Sequence, residues 1–456
     1  MGSRISLRCL TLVAALVLAA AACTDDGRPA TATTTTAAPA VAGAGQQTPG
    51  ASDARASGAR GDGAGDDTAA FLKAQDAALS SGVRFPNGPG GRPQAVVYVP
   101  PGTYRLLRLP FRSDVRMEVD AGAVLAQAGG RDIKVKNDAP SLVEWDGPPG
   151  KALTNVSLVG VNSATGGRKA LADPLFPGWT VEGSFTFDLD PAVTDANVAV
   201  TGIQALNVDG FLIQNVFSIE NDSQPEAAPK EKDGWFPQSR KAALGLRSRS
   251  DTPADGTTFY DPHNGTIENW YNVRGPKGFG PNQINSGHNL TFRHIFSRGG
   301  TTLRFETDAS QGKPFGSEVR GIRAEDIAGD SCNRVVAFVP HAQANFDVHV
   351  SKVQAVGCSA GVLESFDETN AQTPGKFENS TITDVTVTGN DRAQNSKELS
   401  RGLWVVDTSE KAFAKDATTR KSWSVLYKGG IRCTGTFLEA PDPIMTERGL
   451  EAPACS

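Results

Sequence analysis

Apolar residues recur along this chain with two periods, one inside strands and one between them. An apolar-x-x-apolar unit appears at Leu158/Val161, Val200/Ile203, Ile213/Val216, Phe292/Ile295, Val319/Ile322, Val350/Val353 and Ile382/Val385. From Phe292 onward it steps by 27, 31 and 32 residues, a length that suits one coil of chain with its loops. A coil that small cannot bury its own apolar face, so successive coils must stack. An antiparallel sandwich with coincidental spacing is the competing architecture. Within Arg298–Asp308 the period is two: Leu303, Phe305 and Thr307 share one face, and Arg304, Glu306 and Asp308 the other. One short helix is expected near residue 70. Asp67 or Thr68 can cap it, and Phe71, Leu72, Ala78 and Leu79 would face inward. Ala95–Leu106 reads as a strand, a Pro-Gly turn and a second strand. Between residues 221 and 270 the repeat lapses, and Trp235, Phe236, Phe259, Tyr260 and Trp270 stand among prolines and charges. Aromatics there would either wall a sugar site or pin an inserted loop to the coil body.

Composition sharpens this picture. The 49 glycines and scarce helical periodicity point to an all-β chain. A net charge of −5 provides no global field for nucleic acid or for an anionic polymer, so binding of sulfate or carboxylate must be local. Arg4 and Arg8 precede an apolar run from Cys9 to Ala22, which reads residues 1–22 as an export signal, too short to span a membrane as a mature helix. Leu18–Cys23 resembles a bacterial lipobox, implying lipidation of Cys23 and a membrane tether; cleavage and release is the alternative. Residues 23–60 are Ala, Thr, Gly and Pro with almost no large apolar side chain, and read as a disordered tether. Residues 61–456 form the folded domain. Either way the mature protein is expected outside the cytoplasm. With Cys9 and Cys23 set aside, Cys332, Cys358, Cys433 and Cys455 make two disulfides the expectation in an oxidising compartment. Their spacing is unlike a zinc site.

Gly61-Asp-Gly-Ala-Gly-Asp-Asp-Thr68, the helix after it and Val97-Tyr-Val-Pro-Pro-Gly-Thr-Tyr104 resemble the start of pectin-lyase-like proteins. That resemblance implies a right-handed parallel β-helix whose N-terminal helix caps the open end of the coil stack. It says little about chemistry.

Parallel stacking places equivalent positions in columns ~4.8 Å apart. We align Gly278–Gln283, Thr301–Glu306, Asn333–Phe338 and Ser359–Glu364. The inward positions become Gly280, Leu303, Val335 and Gly361, then Asn282, Phe305, Ala337 and Leu363. Cys332 and Cys358 fall at one offset on neighbouring coils, within disulfide range, leaving Cys433–Cys455 to clip the C-terminal tail. The outward column reads Gln283, Glu306, Phe338, Glu364. There Gln283 could bond the Glu306 carboxyl or a sugar hydroxyl, and Phe338 would give that carboxyl an apolar neighbour. His341, ending its strand near the level of Asp308, could orient a water. Glu306 and Asp308 stand two residues apart on one face, ~6.6 Å at the backbone; inverting glycosidases hold their carboxyls ~6.5–9.5 Å apart around a water. Glu-x-Asp on a strand is also common as plain solvated surface, and Asp188 and Asp190 offer the same spacing.

Gly265-Thr-Ile-Glu-Asn269, Gly278-Phe-Gly-Pro-Asn-Gln283, Ser286-Gly-His-Asn-Leu290 and Gly299-Gly-Thr-Thr-Leu-Arg-Phe-Glu-Thr-Asp308 resemble the iota-carrageenases of glycoside hydrolase family 82. The likeness covers about residues 260–345. It implies an inverting, β-helical hydrolase of β-1,4 links in a sulfated galactan, with Glu306 as general acid and Asp308 as general base. Gln283 and His341 would be the supporting polar residues. Arg274, Lys277, Arg293, Arg298 and Arg304 are near enough in sequence to bind substrate, as is Glu364. No cofactor is implied, while the family leaves room for structural calcium or another ion. A polysaccharide substrate, no nucleic acid and a monomer are the expected partners and state. A polygalacturonase would carry Asn-Thr-Asp and Arg-Ile-Lys motifs, which are absent, and no calcium cluster with a basic partner assembles as in a pectate lyase. A non-catalytic, glycan-binding surface β-helix is the reading from outside enzymology.

Overall fold

The apolar-x-x-apolar unit folds as a corner of the coil, and coil stacks on coil in parallel register. The computed structural model of the protein describes residues 46–127, 141–162, 183–189, 201–219, 242–249, 251, 260–275, 281–307, 318–340, 344–365, 375–389, 401–406, 425–437, 444–451 and 454–455. Ile213, Ile267, Phe292, Ala324, Val350, Ile382 and Tyr427 form one continuous interior column. Val216, Trp270, Ile295, Ile327, Val353, Val385 and Ile431 form the next. All fourteen are buried.

Between the two columns the backbone turns through the left-handed region, with φ between 52° and 61° at Asn215, Asn269, His294, Asp326, Lys352 and Asp384. Five residues earlier in each coil a second left-handed corner falls at Gly210, Asn264, Asn289, Gly321, Asp347 and Asn379. Asn, Asp and Gly tolerate this conformation better than other residues. The asparagines also bridge coils: Asn269 donates to Asn215 at 2.7 Å and Asn264 to Asp209 at 2.8 Å. Bends repeated at the same place in successive coils make a helix of strands rather than a flat sheet.

Several expectations need correction. Val319/Ile322 is not a corner unit; Ala324/Ile327 is, and Ile322 stands one step earlier against Val348. Ile203 pairs with Val143 and Leu244 on another face of the coil. The repeat resumes before residue 270, because Ile267 and Trp270 supply its columns directly beside Ile213 and Val216. Trp270 is 1% exposed and its indole N–H donates to Ser218 Oγ at 2.8 Å, so it is core and no sugar wall. Trp235, Phe236 and Phe259 lie outside the described residues, as does Cys23.

The N-terminal end begins earlier than residue 61. Ser52–Asp53 pairs in parallel with Ala95–Val99, Ala54 and Ala59 enter the core, and Thr48 donates twice to Glu118 at 2.7 Å. Small alanines bury as readily as large apolar residues where space is tight, so a stretch that looks like tether closes the first coil. Helix α1, Thr68–Ser80, packs on this end through Phe71, Ala74, Gln75 and Ala78, with Phe71 edge-on to Tyr104 at 5.4 Å. Its cap differs from expectation. Asp67 makes no cap bond, and Asp66 instead accepts from the Thr68 N–H at 2.8 Å. At the other end Cys433 is disulfide-bonded and stands in register with Cys455. The Cys332–Cys358 disulfide joins neighbouring coils as expected, with Cα atoms 4.3 Å apart.

Candidate active site

One face of the coil is a parallel sheet, and six of its described strands lead to and past the candidate site. They are β1 (Leu244–Leu246), β2 (Asn282–Ile284), β3 (Thr301–Glu306), β4 (Arg334–Val339), β5 (Ala360–Ser365) and β6 (Arg401–Val406). Alternation decides what each side chain meets. Leu303, Phe305 and Thr307 are wholly buried, while the Arg304 and Glu306 side chains keep 13% and 15% of their surface. The face assignment made from Arg298–Asp308 therefore holds for every residue described in it.

The stacking register is shifted from the alignment. Gln283 stands opposite Arg304, two positions before Glu306, and Phe338 stands opposite Phe305. Phe338 is thus interior, stacked on Phe305 at 5.6 Å and edge-on to Phe377 at 5.1 Å. Glu364 follows Phe338 in the same row and is 1% exposed, so it is not an outward substrate ligand. The one-residue slip arose because Val335, Val336 and Ala337 offer two apolar phases, and a strand shifted by one flips every side chain. The apolar neighbour of Glu306 is Val339, grouped with Ala337 and Leu363. Phe338→Ala is expected to cost ~3–5 kcal/mol by opening a cavity between two rings. Urea unfolding checks this, and a loss below ~1 kcal/mol would contradict the interior placement.

The expected pairing of Gln283 with Glu306 is present despite the shift. Gln283 Nε2 donates to Glu306 Oε2 at 2.8 Å, while Arg304 Nη2 donates to Oε1 at 2.5 Å. A guanidinium and a side-chain amide thus hold one carboxylate at the surface of a rigid strand. Such a group can accept or deliver a proton at a fixed place, which general acid–base chemistry requires. Arg304 is engaged with Glu306 itself. Arg298 pairs with Asp330 at 2.9 Å just before the corner leading into β3. Arg293 pairs with Glu268 at 2.6 Å between the two left-handed corners, off the sheet that carries Glu306. Asp308, His341 and Lys277 lie outside the described residues, and of Arg274 only the backbone is described. The strand of Asp188 pairs with Ala123–Gln127 and Thr201–Ile219, not with β3. Among the described residues no cluster of three acidic, His or Cys side chains is placed to hold a metal.

One polar cluster escaped the sequence reading. Where the chain leaves β2, His288 Nδ1 hydrogen-bonds Asp261 Oδ2 from the preceding coil, and Nε2 faces Glu318 Oε1 of the following coil at 3.7 Å. Asp261 is fully buried, and His288 and Glu318 are 7% and 5% exposed. Burial disfavours an imidazolium, but the two carboxylates outweigh it and push His288 up to about 9. Burial likewise opposes ionisation of Glu318, and His288 still draws its carboxyl below the usual range. His263 sits 25 residues before His288, one coil earlier and in register with it, a spacing that could have flagged the cluster.

Fold and site define a class: a right-handed parallel β-helix bearing a surface carboxylate held by an amide and a guanidinium on one sheet. No family model matches the chain. An iota-carrageenase of Zobellia galactanivorans is 26% identical over 292 residues, 62% of this chain and 50% of that protein. An iota-carrageenase of Alteromonas macleodii is 26% identical over 303 residues, 65% and 50% of the two chains. The chain spans about half the length of these curated relatives. The iota-carrageenase of A. fortis, solved without chloride ions, superposes with a TM-score of 0.55 at 21% identity over 76% of this chain and 73% of its own. A solved galactohydrolase of sulfated galactose and anhydrogalactose reaches 0.61 at 19% identity, over 91% and 94%. The chain is iota-carrageenase-like, in sequence and in fold.

Proposed function

We propose that the protein is an inverting glycoside hydrolase that cleaves β-1,4 links inside a sulfated galactan of the iota-carrageenan type. The observation that carries this is the clasp of Glu306 on β3 by its strand neighbour Arg304 and by Gln283 of β2, in a chain that resembles the iota-carrageenases. In this reading Glu306 protonates the leaving oxygen. Asp308, two residues on, activates a water on the opposite side of the sugar ring. His341 orients that water or a substrate group, and Arg298 with Lys277 offers charge to sulfate. The protein acts outside the cytoplasm after export by residues 1–22, and lipidation at Cys23 would hold it at a membrane. The Cys332–Cys358 disulfide favours an oxidising compartment.

Reducing-end release by the full chain on iota-, kappa- and lambda-carrageenan, agarose and polygalacturonate tests the substrate class. Turnover of one carrageenan, with a product of inverted anomeric configuration in time-resolved NMR, is expected. Activity on polygalacturonate alone would replace the proposal with a pectinase. Silence on all five would leave the glycan-binding surface protein.

A further inference from the structure

We propose that Asn285 is a positioning residue that fixes the main chain under Glu306. The inference rests on the catalytic role proposed for Glu306. β2 leaves the sheet at Asn285, where its own N–H and that of Ser286 turn back to the Leu246 carbonyl of β1 at 2.8 and 3.3 Å. The backbone ladder from β2 to β3 therefore ends at Ile284 opposite Phe305, one step short of Glu306. The Asn285 side chain takes over at that step: its Nδ2 donates to the Glu306 carbonyl at 2.6 Å.

The same peptide unit is held from its other side by β4. The Thr307 N–H donates to the Val339 carbonyl at 3.2 Å, and the Thr307 hydroxyl donates to the Pro340 carbonyl at 2.6 Å. Rotation of this one peptide would swing the Glu306 side chain and redirect the chain towards Asp308 together. Asn285 and the β4 carbonyl clamp it from opposite edges, while Gln283, two residues before Asn285, holds the carboxylate. One short segment thus fixes both the backbone and the head group of the proposed acid. Asn285 is 7% exposed and bonds the main chain of Glu306, so it acts through Glu306. Asn282 supplies the comparison: its Nδ2 donates to the Thr302 carbonyl at 3.0 Å, at the start of β3 and far along the strand from the carboxylate.

Asn285→Ala and Asn282→Ala in the full chain distinguish positioning from general support. A loose peptide displaces the acid by about an ångström, and such misplacement costs up to ~100-fold in rate. Asn285→Ala is expected to lower kcat by ~10–100-fold with KM within about twofold. Asn282→Ala should lower the thermal midpoint and keep kcat. Amide hydrogen exchange of the segment 303–307 should quicken at Thr307 in Asn285→Ala only. Wild-type kcat in Asn285→Ala overturns the proposal, and so does equal loss of kcat in both variants. If the wild type turns over no galactan, the functional reading fails separately, and the exchange data decide: quickened exchange at Thr307 supports the clamp, unchanged exchange removes it.

Discussion

Glu306→Gln is expected to fold as the wild type does and to lose ~10²–10⁴-fold of galactan turnover, the usual contribution of a positioned acid. The substitution keeps the shape of the side chain, and its carbonyl oxygen can still accept from Arg304. Gln283 can rotate its amide to present an oxygen, so the local hydrogen bonds can be rebuilt without the carboxyl. What cannot be rebuilt is the transferable proton. Leaving-group protonation would then fall to water, and KM should move far less than kcat because the carboxyl does its work in the transition state. Steady-state kinetics on the galactan cleaved by the wild type measures both. Turnover within about threefold of wild type would remove Glu306 from the acid role and leave its amide–guanidinium clasp as a structural tie. Arg304→Ala is the informative companion, because it removes the guanidinium from Oε1 and keeps the carboxyl in place.

Much of this arrangement can be read from residue order, and the part that cannot has a physical reason. Period-two alternation in Thr301–Glu306 assigns faces correctly, because one buried face admits only one phase. The Cys332–Cys358 match also holds, since both cysteines precede their strands at one offset. Phe338 and Glu364 stand one position from where the strand pattern puts them. Val335-Val336-Ala337 is apolar in both phases, so only the stacking of Phe338 on Phe305 selects between them. The corners were legible in principle. An Asn, Asp or Gly followed five residues later by Asn269, His294, Asp326 or Asp384 marks them, and this signal is polar, so an apolar period does not contain it. Gln283 reaches Glu306 from an unexpected level because a glutamine side chain spans two residues along a neighbouring strand. Local patterns fix which face a residue occupies; its level in the stack depends on loop lengths, which carry no periodic signal.

The buried polar cluster at the exit of β2 shows what such patterns miss entirely. Asp261, His288 and Glu318 come from three successive coils, and no sequence window contains them all. His288→Gln is expected to destabilise the fold by ~3–5 kcal/mol, since it leaves two buried carboxylates without their shared cation. The pH dependence follows from the direction of the shift. The folded-state imidazole titrates at about 9, above its ordinary 6.5. Stability from its protonation is fully present below the unfolded-state value, declines as pH rises between the two, and is gone once pH passes the folded-state value. Glu318 runs the opposite way: its carboxyl is drawn below 4.5, so its share is present above that pH and fades as pH falls. Arg320 lies 3.9 Å from Glu318 and His263 contacts Asp261, so neither carboxylate stands alone when His288 discharges. Urea unfolding of the wild type between pH 6 and pH 10 should lose stability from about pH 6.5 to about 9 and level off above that, and His288→Gln should flatten the decline. An equally steep decline in the variant would assign the alkaline loss to other groups and reduce His288 to packing.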